Sequence, residues 1–429
     1  GHSNADDLTI ATSGATGITI RSGSSSNGNI FFSDATSGAG EYQGMIIYGH
    51  GNDSMQLYVN GGTRLTFNSG GNATFAGIVT ATEFVATSIQ TGGRKNLLFN
   101  GGMSIAQRGT AAVTVTTSAQ YRCVDRFKSD IDGSGGGDWS HAQSTDVPTG
   151  QGFRHSSKCT VVTQASQPTS VSVHHQLYQM LEKQDIYHLE WGTSNAKTCT
   201  LSFWVKSSVA GTYALWFSIY TASNTQYYWT NYTINSANTW EKKTITVTGP
   251  TSGGNTNLVG YESNTGFRVE WTLGVGSDSE TGTLNEWTTS TTFRTASGTV
   301  YLPENAGATW YLTGVQFEVG SNASAFEFRS FAEELTLCQR YYEGVYMSDG
   351  TALMKGYASY GGSANFEYEF KVEKRSTPTW SLEGNAAWAG ATPNAYESKS
   401  SAIFQDNGGT LFALSDASQD LCGSFDAEL

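Results

Sequence analysis

At 429 residues the chain has room for two or three domains, each long enough to bury a core. Gly at 50 against Pro at 6, abundant Ser, Thr and aromatics, and 14% charged residues describe many short strands joined by glycine turns, with little to build helix from. The net charge of −13 carries no Lys or Arg cluster, which excludes binding to a nucleic-acid backbone, and no apolar run approaches the ~18–20 residues of a membrane-inserted span.

From Asp7 to Gly92 the chain is a string of short apolar runs (LTI, GITI, NIFF, GMIIY, MQLYV, RLTF, ATFAGIVTATEFVA) separated by glycine-rich turns. None is long enough to bury a face alone. Such strands gain a core by associating with copies of themselves, so three chains are expected to wrap into a β-prism-like shaft. Gly49, Gly51, Gly61, Gly62, Gly70 and Gly71 read as tight-turn positions needing positive φ. Ser88–Lys95 (SIQTGGRK) is a polar, glycine-containing joint.

Strand signals then recur at short intervals: TVVT at Thr160, TLSFWVK at Thr200, YALWFSIY at Tyr213, QYYWTNYTI at Gln226, KKTITVT at Lys242, GFRVEWTLGV at Gly266 and TWYLTGVQFEV at Thr309. The spacing predicts an antiparallel sandwich. Gln176–Asp185 reads as helical or irregular, and Phe331–Cys338 as a helix capped by Ser330, with Glu333 and Glu334 in its first turn. In Gly344–Leu429, FEYEFKVEK and RSTPTWSLEG read as strand, turn, strand, and five basic against eleven acidic residues make this end acidic.

Glycan cleavage would need paired carboxylates on a stable scaffold. Glu367 and Glu369 share one face of an exposed edge strand and read as solvated, and Glu327, Glu333 and Glu334 form no evident acid–base pair. His141 and His174–His175 lack partners at metal-ligand or triad spacing, and GxSxG elbows and phosphate loops are absent from the sequence. Cys123, Cys159, Cys199, Cys338 and Cys422 are widely spaced without a CxxC pair and read as buried thiols. No catalysis, metal or cofactor is expected.

The stronger signal is aromatic. Strand alternation places Leu201, Phe203 and Val205 opposite Trp204, and Tyr213, Leu215, Phe217 and Ile219 opposite Trp216 and Tyr220. It sets Tyr228, Tyr232 and Ile234 against Tyr227, Trp229 and Asn231, and Phe267, Val269, Trp271 and Leu273 against Arg268 and Glu270. A surface of Trp and Tyr with Arg, Glu and Asn nearby suits a saccharide, whose C–H faces stack on rings while polar groups fix its hydroxyls. The competing reading is packing, since both faces of a sheet can be covered. Trp139 and His141, in the glycine loop GSGGGDWSH, and Trp287 in TLNEWTTSTT are further loop candidates.

Two segments bracket the sandwich: NLLFNGGMSIAQRG at Asn96–Gly109, and TWYLTGVQFEVGSNASAFEFRSFAEELTLCQRYYE at Thr309–Glu343. Together they resemble the jelly-roll module of bacteriophage tail fibres, itself similar to carbohydrate-binding modules that open on an "NLL-NGxF" strand and close on a "VQxE" strand. The run from Asn29 to Gly77 resembles a shaft segment of such fibres, and RSTPT after CQRYY, with the ending FDAEL, resembles their C-terminal region.

The resemblance implies an all-β, homotrimeric receptor-binding tail fibre: a shaft over 1–93, a jelly roll over 94–343 and a small β tip over 344–429. Its place would be the virion tail, assembled in the host cytoplasm and joined upstream to other tail or baseplate proteins. Its partner would be a bacterial surface glycan, lipopolysaccharide first, held by Trp204, Trp216, Tyr220, Tyr227, Trp229, Asn231, Arg268 and Glu270. A structural fibre segment and a glycan-depolymerising tailspike are the alternatives. Some related modules hold Ca²⁺ between first and last strands; here Met103 and Ser104 stand where an acid often sits, and Glu318 alone makes no site.

Overall fold

The computed structural model describes residues 13–77, 95–116, 119–133, 135–220, 225–253, 264–280, 283–290, 295, 297–346, 355–356, 364–382, 387–390, 394–406, 412–415 and 421–428. The chain divides into two compact units, Gly1–Ile89 and Gln90–Leu429. Most of the expected Ser88–Lys95 joint lies outside the described residues, as do the LTI run and the later part of ATFAGIVTATEFVA.

In the first unit five strands form an antiparallel meander: β1 (Asn27–Phe32), β2 (Gly44–Gly49), β3 (Ser54–Val59), β4 (Gly62–Phe67) and β5 (Ala73–Phe75). Asn60 and Gly61 join β3 to β4 with φ of 50° and 73°, the type I′ conformation whose twist matches a hairpin. Gly71 is also left-handed, but Gly49, Gly51, Gly62 and Gly70 are not; Gly49 and Gly62 are strand residues and therefore extended.

The registers Ile30–Ile46–Leu57–Leu65–Phe75 put these side chains on one face. Phe32, Met55, Val59 and Phe67 join them by alternation. Ile30, Phe32, Met55, Leu57, Val59, Phe67 and Phe75 are exposed, and among the described residues of this unit no second layer covers them.

The second unit is built on a jelly-roll β-sandwich. In chain order its strands are β6 (Val113–Val115), β7 (Gln120–Tyr121), β8 (Lys128–Asp132), β9 (Asp138–Ser144), β10 (Ser156–Thr163), β11 (His174–Glu182) and β12 (Thr198–Ser207). There follow β13 (Gly211–Tyr220), β14 (Thr225–Ile234), β15 (Glu241–Thr248), β16 (Thr265–Val275), β17 (Trp287–Thr288) and β18 (Thr309–Val319).

One sheet has the order β15-β12-β18-β10-β9-β6 and the other β17-β14-β13-β16-β11-β8-β7. The chain changes sheet after β6, β8, β10, β11, β12, β14, β15 and β17, which is what lets two layers share one core. Phe203 of β12 meets Tyr232 at 5.2 Å and Trp271 at 5.6 Å from the opposite layer, and Phe267 stacks on Phe317 at 4.9 Å. Each fully buried ring of this kind contributes roughly 1.5–3 kcal/mol. Cys123, Cys159, Cys199 and Cys338 are buried free thiols, and burial pushes Cys123 and Cys199 up to about 12.

Three sequence expectations are corrected here. Residues 176–182, expected to be helical or irregular, belong to β11; helix is confined to α1 (Lys183–Ile186). The strand holds because Leu177 and Leu181 face the core while Gln179 between them is satisfied by Phe99, donating to its carbonyl and accepting from its N–H, both at 2.8 Å. Trp139 and His141 are not loop residues but buried members of β9. The NLL segment is not a ladder strand: Leu97 N–H donates to the Phe317 carbonyl and the Gly101 carbonyl accepts from the Val315 N–H, and between these two the Asn96 side chain bonds the Val315 carbonyl and the Phe317 N–H.

After β18 comes α2 (Phe331–Gln339), capped by Ser330 Oγ, which accepts from the Glu333 N–H at 3.2 Å. The tip region holds β19 (Tyr342–Tyr346), β20 (Lys355–Gly356), β21 (Ala364–Glu369), β22 (Thr379–Leu382), β23 (Ala387–Gly390), β24 (Asn394–Glu397), β25 (Ser401–Asp406), β26 (Phe412–Ser415) and β27 (Leu421–Asp426).

They pair in three three-stranded antiparallel sets, β19-β27-β22, β20-β26-β23 and β21-β25-β24. The first set packs against the third, with Phe425 against Tyr368 at 5.3 Å and Phe370 at 4.7 Å. A buried Lys374–Glu343 pair at 2.6 Å ties it down, and Glu428 pairs with the buried Arg126 of the sandwich. Among the described residues no helix is long and apolar enough to cross a membrane.

Candidate functional site

The hairpin β13–β14 aligns Trp216 with Trp229 and Ser218 with Tyr227, and β16 aligns Glu270 with Trp216 and Arg268 with Ser218. Since alternate side chains share a face, these residues stand on the outer side of the seven-stranded sheet. Opposite them Phe217, Ile219, Phe267 and Trp271 fill the core.

The rings form a continuous stack. Trp216 lies 4.1 Å from Trp229 and 6.0 Å from Tyr227, and Tyr227 is 5.4 Å from Trp229 with their planes 13° apart. Arg268 extends the row: its guanidinium sits 3.7 Å from the Tyr178 ring centre and 5.7 Å from that of Trp216. It donates to Gln176 Oε1 at 2.7 Å and pairs with Glu270. Burial alone would lower the Arg268 pKa, but Glu270 and the Tyr178 and Tyr220 hydroxyls carry it above its ordinary value, so the cation is permanent.

Together Trp216, Ser218, Tyr220, Tyr227 and Arg268 line a groove of about 240 Å³, closed on its far side by Asp130, Asp132, His174 and Gln176. Burial raises the Asp130 pKa, an effect that Arg268 partly offsets, while Asp132 lies 3.5 Å from His174. The groove therefore offers flat rings along one wall and carboxylate, amide, hydroxyl and guanidinium groups along the other. That division matches the two kinds of surface on a sugar ring.

Seven of the eight residues singled out from the sequence fall on this sheet face, but not at one depth. Tyr220, Tyr227, Asn231 and Arg268 are half-buried, whereas Trp216 is 7% exposed, Trp229 1% and Glu270 0%. The Trp229 ring lies beneath the surface, where the Asn285 N–H donates to its carbonyl at 2.7 Å. Asn231 is held by the Thr295 hydroxyl at 3.0 Å. Trp204 stands apart, on the outer side of the six-stranded sheet between β15 and β18.

Sequence reasoning missed Asp130, Asp132, His174, Gln176, Ser218 and Tyr178. The expected helix hid the last strand signal available: His174, Gln176, Tyr178 and Met180 alternate with the inward Leu177 and Leu181. Trp287 proves to be a lid over the core, 5.4 Å from Trp191, its indole donating to the Thr248 carbonyl at 2.8 Å. Glu367 and Glu369 are exposed on β21, which pairs only with β25 among the described strands. Among the described residues no group of three His, Cys, Asp or Glu side chains is arranged to hold a metal.

No family model matches the chain. No curated protein matches it either. Among solved structures it is similar to a putative sugar binding protein from Bacteroides thetaiotaomicron VPI-5482, at 12% identity over 53% of this chain and 100% of that one, with a TM-score of 0.30. It is also similar to TmCBM61 in complex with β-1,4-galactotriose, at 9% identity, 53% and 100% coverage and a TM-score of 0.25. A third likeness is to the enzymatically active domain of tailspike protein 4 of bacteriophage CBA120, at 12% identity and a TM-score of 0.28. It covers 52% of this chain and 21% of that one, about a fifth of that domain's length.

Proposed function

We propose that this chain is the receptor-binding protein of a phage tail fibre, which adsorbs the virion to a bacterial surface glycan, lipopolysaccharide first, without cleaving it. The observation that carries the reading is the Tyr227–Trp216–Arg268–Tyr178 row beside the polar wall of Asp130 and Gln176. The bracketing motifs of the sandwich, with their resemblance to tail-fibre jelly rolls, support the virion setting. The exposed apolar face of the first unit supports a homotrimer, because a single-layer sheet has no core of its own. Three shallow grooves on one particle bind with high effective concentration, which turns weak sugar contacts into firm adsorption.

The test is adsorption of the purified chain to host cells, compared with a Tyr220→Ala, Tyr227→Ala variant of unchanged oligomeric mass. Adsorption should fall at least tenfold, as expected for losing about 1.4 kcal/mol or more of ring contact. Equal adsorption would leave a structural fibre segment as the better description. One observation favours a second reading: Asp130 and Asp132 place two carboxylates in the groove, and Asp130 has a raised pKa. Shortening of host polysaccharide by the wild type, abolished by Asp130→Asn, would replace adsorption with glycan cleavage.

A further inference from the structure

The outer side of the six-stranded sheet carries a second groove, separate from the one above. Phe153, Phe326 and Phe328 pack at 4.9–5.2 Å from one another, and two hollows of about 460 and 470 Å³ open on either side of this trio. One hollow is floored by Trp204 and flanked by Lys242, and the other is flanked by Arg154 and His155. Volumes of this size fit small-molecule sites. The space is kept by a bulge in β18, where Gly314 has a φ of 61° and a Cβ would lie 2.6 Å from Phe153 and 3.0 Å from Trp204.

Above the buried Phe153 and half-buried Phe326, two rings are open to solvent in a way a core does not tolerate: Phe328 is 59% exposed, and Phe331 at the rim 64%. The cations are equally uncommitted. Among the described residues neither the Arg154 guanidinium nor the Lys242 ammonium has an ion-pair or hydrogen-bond partner, while the nearby Arg329 is used up by Glu327 at 3.1 Å and Glu334 at 3.3 Å. The His155 pKa is lowered by burial and then by Arg154, which leaves a neutral ring able to meet a hydroxyl.

We infer that this Trp204–Phe326–Phe328 groove is a second saccharide site, built for an acidic sugar chain, with Arg154 and Lys242 each meeting a carboxylate at opposite ends of the aromatic floor. Two separated single cations match one negative charge per sugar ring; a phosphate would draw them together. In a chain of net charge −13, such a spot attracts an anion that the rest of the surface repels. The inference rests on the reading of the chain as a glycan binder but assigns a different ligand to a different sheet.

The test is calorimetric titration of the full chain with trigalacturonate and, as the neutral counterpart, maltotriose. Trigalacturonate should bind, more weakly as salt rises, and Arg154→Gln with Lys242→Gln should reduce its affinity about tenfold or more. Both residues sit at the rim, so folding is not at stake, and Tyr227→Ala should leave this binding intact while weakening adsorption to host cells. No trigalacturonate binding by the wild type, equal affinity in the double variant, or equal binding of maltotriose overturns the inference. So does a change of oligomeric mass in the double variant, which would make the groove a contact between copies of the chain.

Discussion

Asn96 and Phe317 are 221 residues apart in sequence and share a hydrogen bond: Asn96 Oδ1 accepts from the Phe317 N–H at 3.0 Å. The same side chain donates from Nδ2 to the Val315 carbonyl at 2.9 Å, so it replaces the ladder that a true first strand would have made. Asn96→Ala should lower stability by about 2–4 kcal/mol, because it removes the partner of three buried backbone groups, the Val315 carbonyl and the Leu98 and Phe317 N–H groups. Urea unfolding of the sandwich measures this, and a loss below about 1 kcal/mol would show that water replaces the amide.

Next to it, Gly101 lies so close to β18 that a Cβ would stand 2.1 Å from the Val315 carbonyl oxygen. The obstacle is backbone, which has no rotamer to give. Gly101→Ala should therefore destabilise at least as much as Asn96→Ala, whereas Gly109→Ala, with open space around it, should show only the strain of its φ of 104°. Paired unfolding curves decide the order.

Acid should loosen the sandwich through its histidines. Burial lowers the His141 pKa to about 3 and the His175 pKa to about 4, so between these values and about 6.5 the unfolded chain holds protons that the folded chain refuses. Stability is full above about 6.5 and falls as pH drops, by up to about 1.4 kcal/mol per pH unit for each group. Asp125 works the other way, since burial raises its pKa to about 6 and the folded state takes up its proton first. Urea midpoints from pH 7 to 5 should decline, and His175→Gln should flatten the slope; an unchanged slope would place the acid sensitivity elsewhere.

In the first unit, Leu57 stands at the centre of the apolar face, paired with Ile46 and Leu65. Leu57→Asp should convert the proposed trimer to monomer in sedimentation experiments, since three buried carboxylates would meet at the association face. A wild-type monomer, or a variant that still trimerises, would remove this face from assembly.

All seven strands read from the sequence of the sandwich lie within observed ones, because TLSFWVK, YALWFSIY and GFRVEWTLGV combine β-formers with strict alternation. What escaped notice were strands with weak local preference. KSDID of β8 is mostly polar, and HHQLYQMLE of β11 is rich in helix formers; both are strands because neighbouring strands pair with them. Those two supply the polar wall of the groove, so the sequence showed its rings and concealed its hydrogen-bonding side. Trp229 and Glu270 have the right face but lie beneath the surface, a depth that alternation alone does not encode.

Glu428 meets Arg126 across 302 residues of chain, and Arg126 has no solvent to turn to. Without Glu428 the sandwich would hold a buried guanidinium with no carboxylate beside it. The tip region thus supplies the counter-ion of the sandwich, and the stability of the one depends on the presence of the other. A chain cut by a protease before Glu428 carries that bare charge and unfolds more readily.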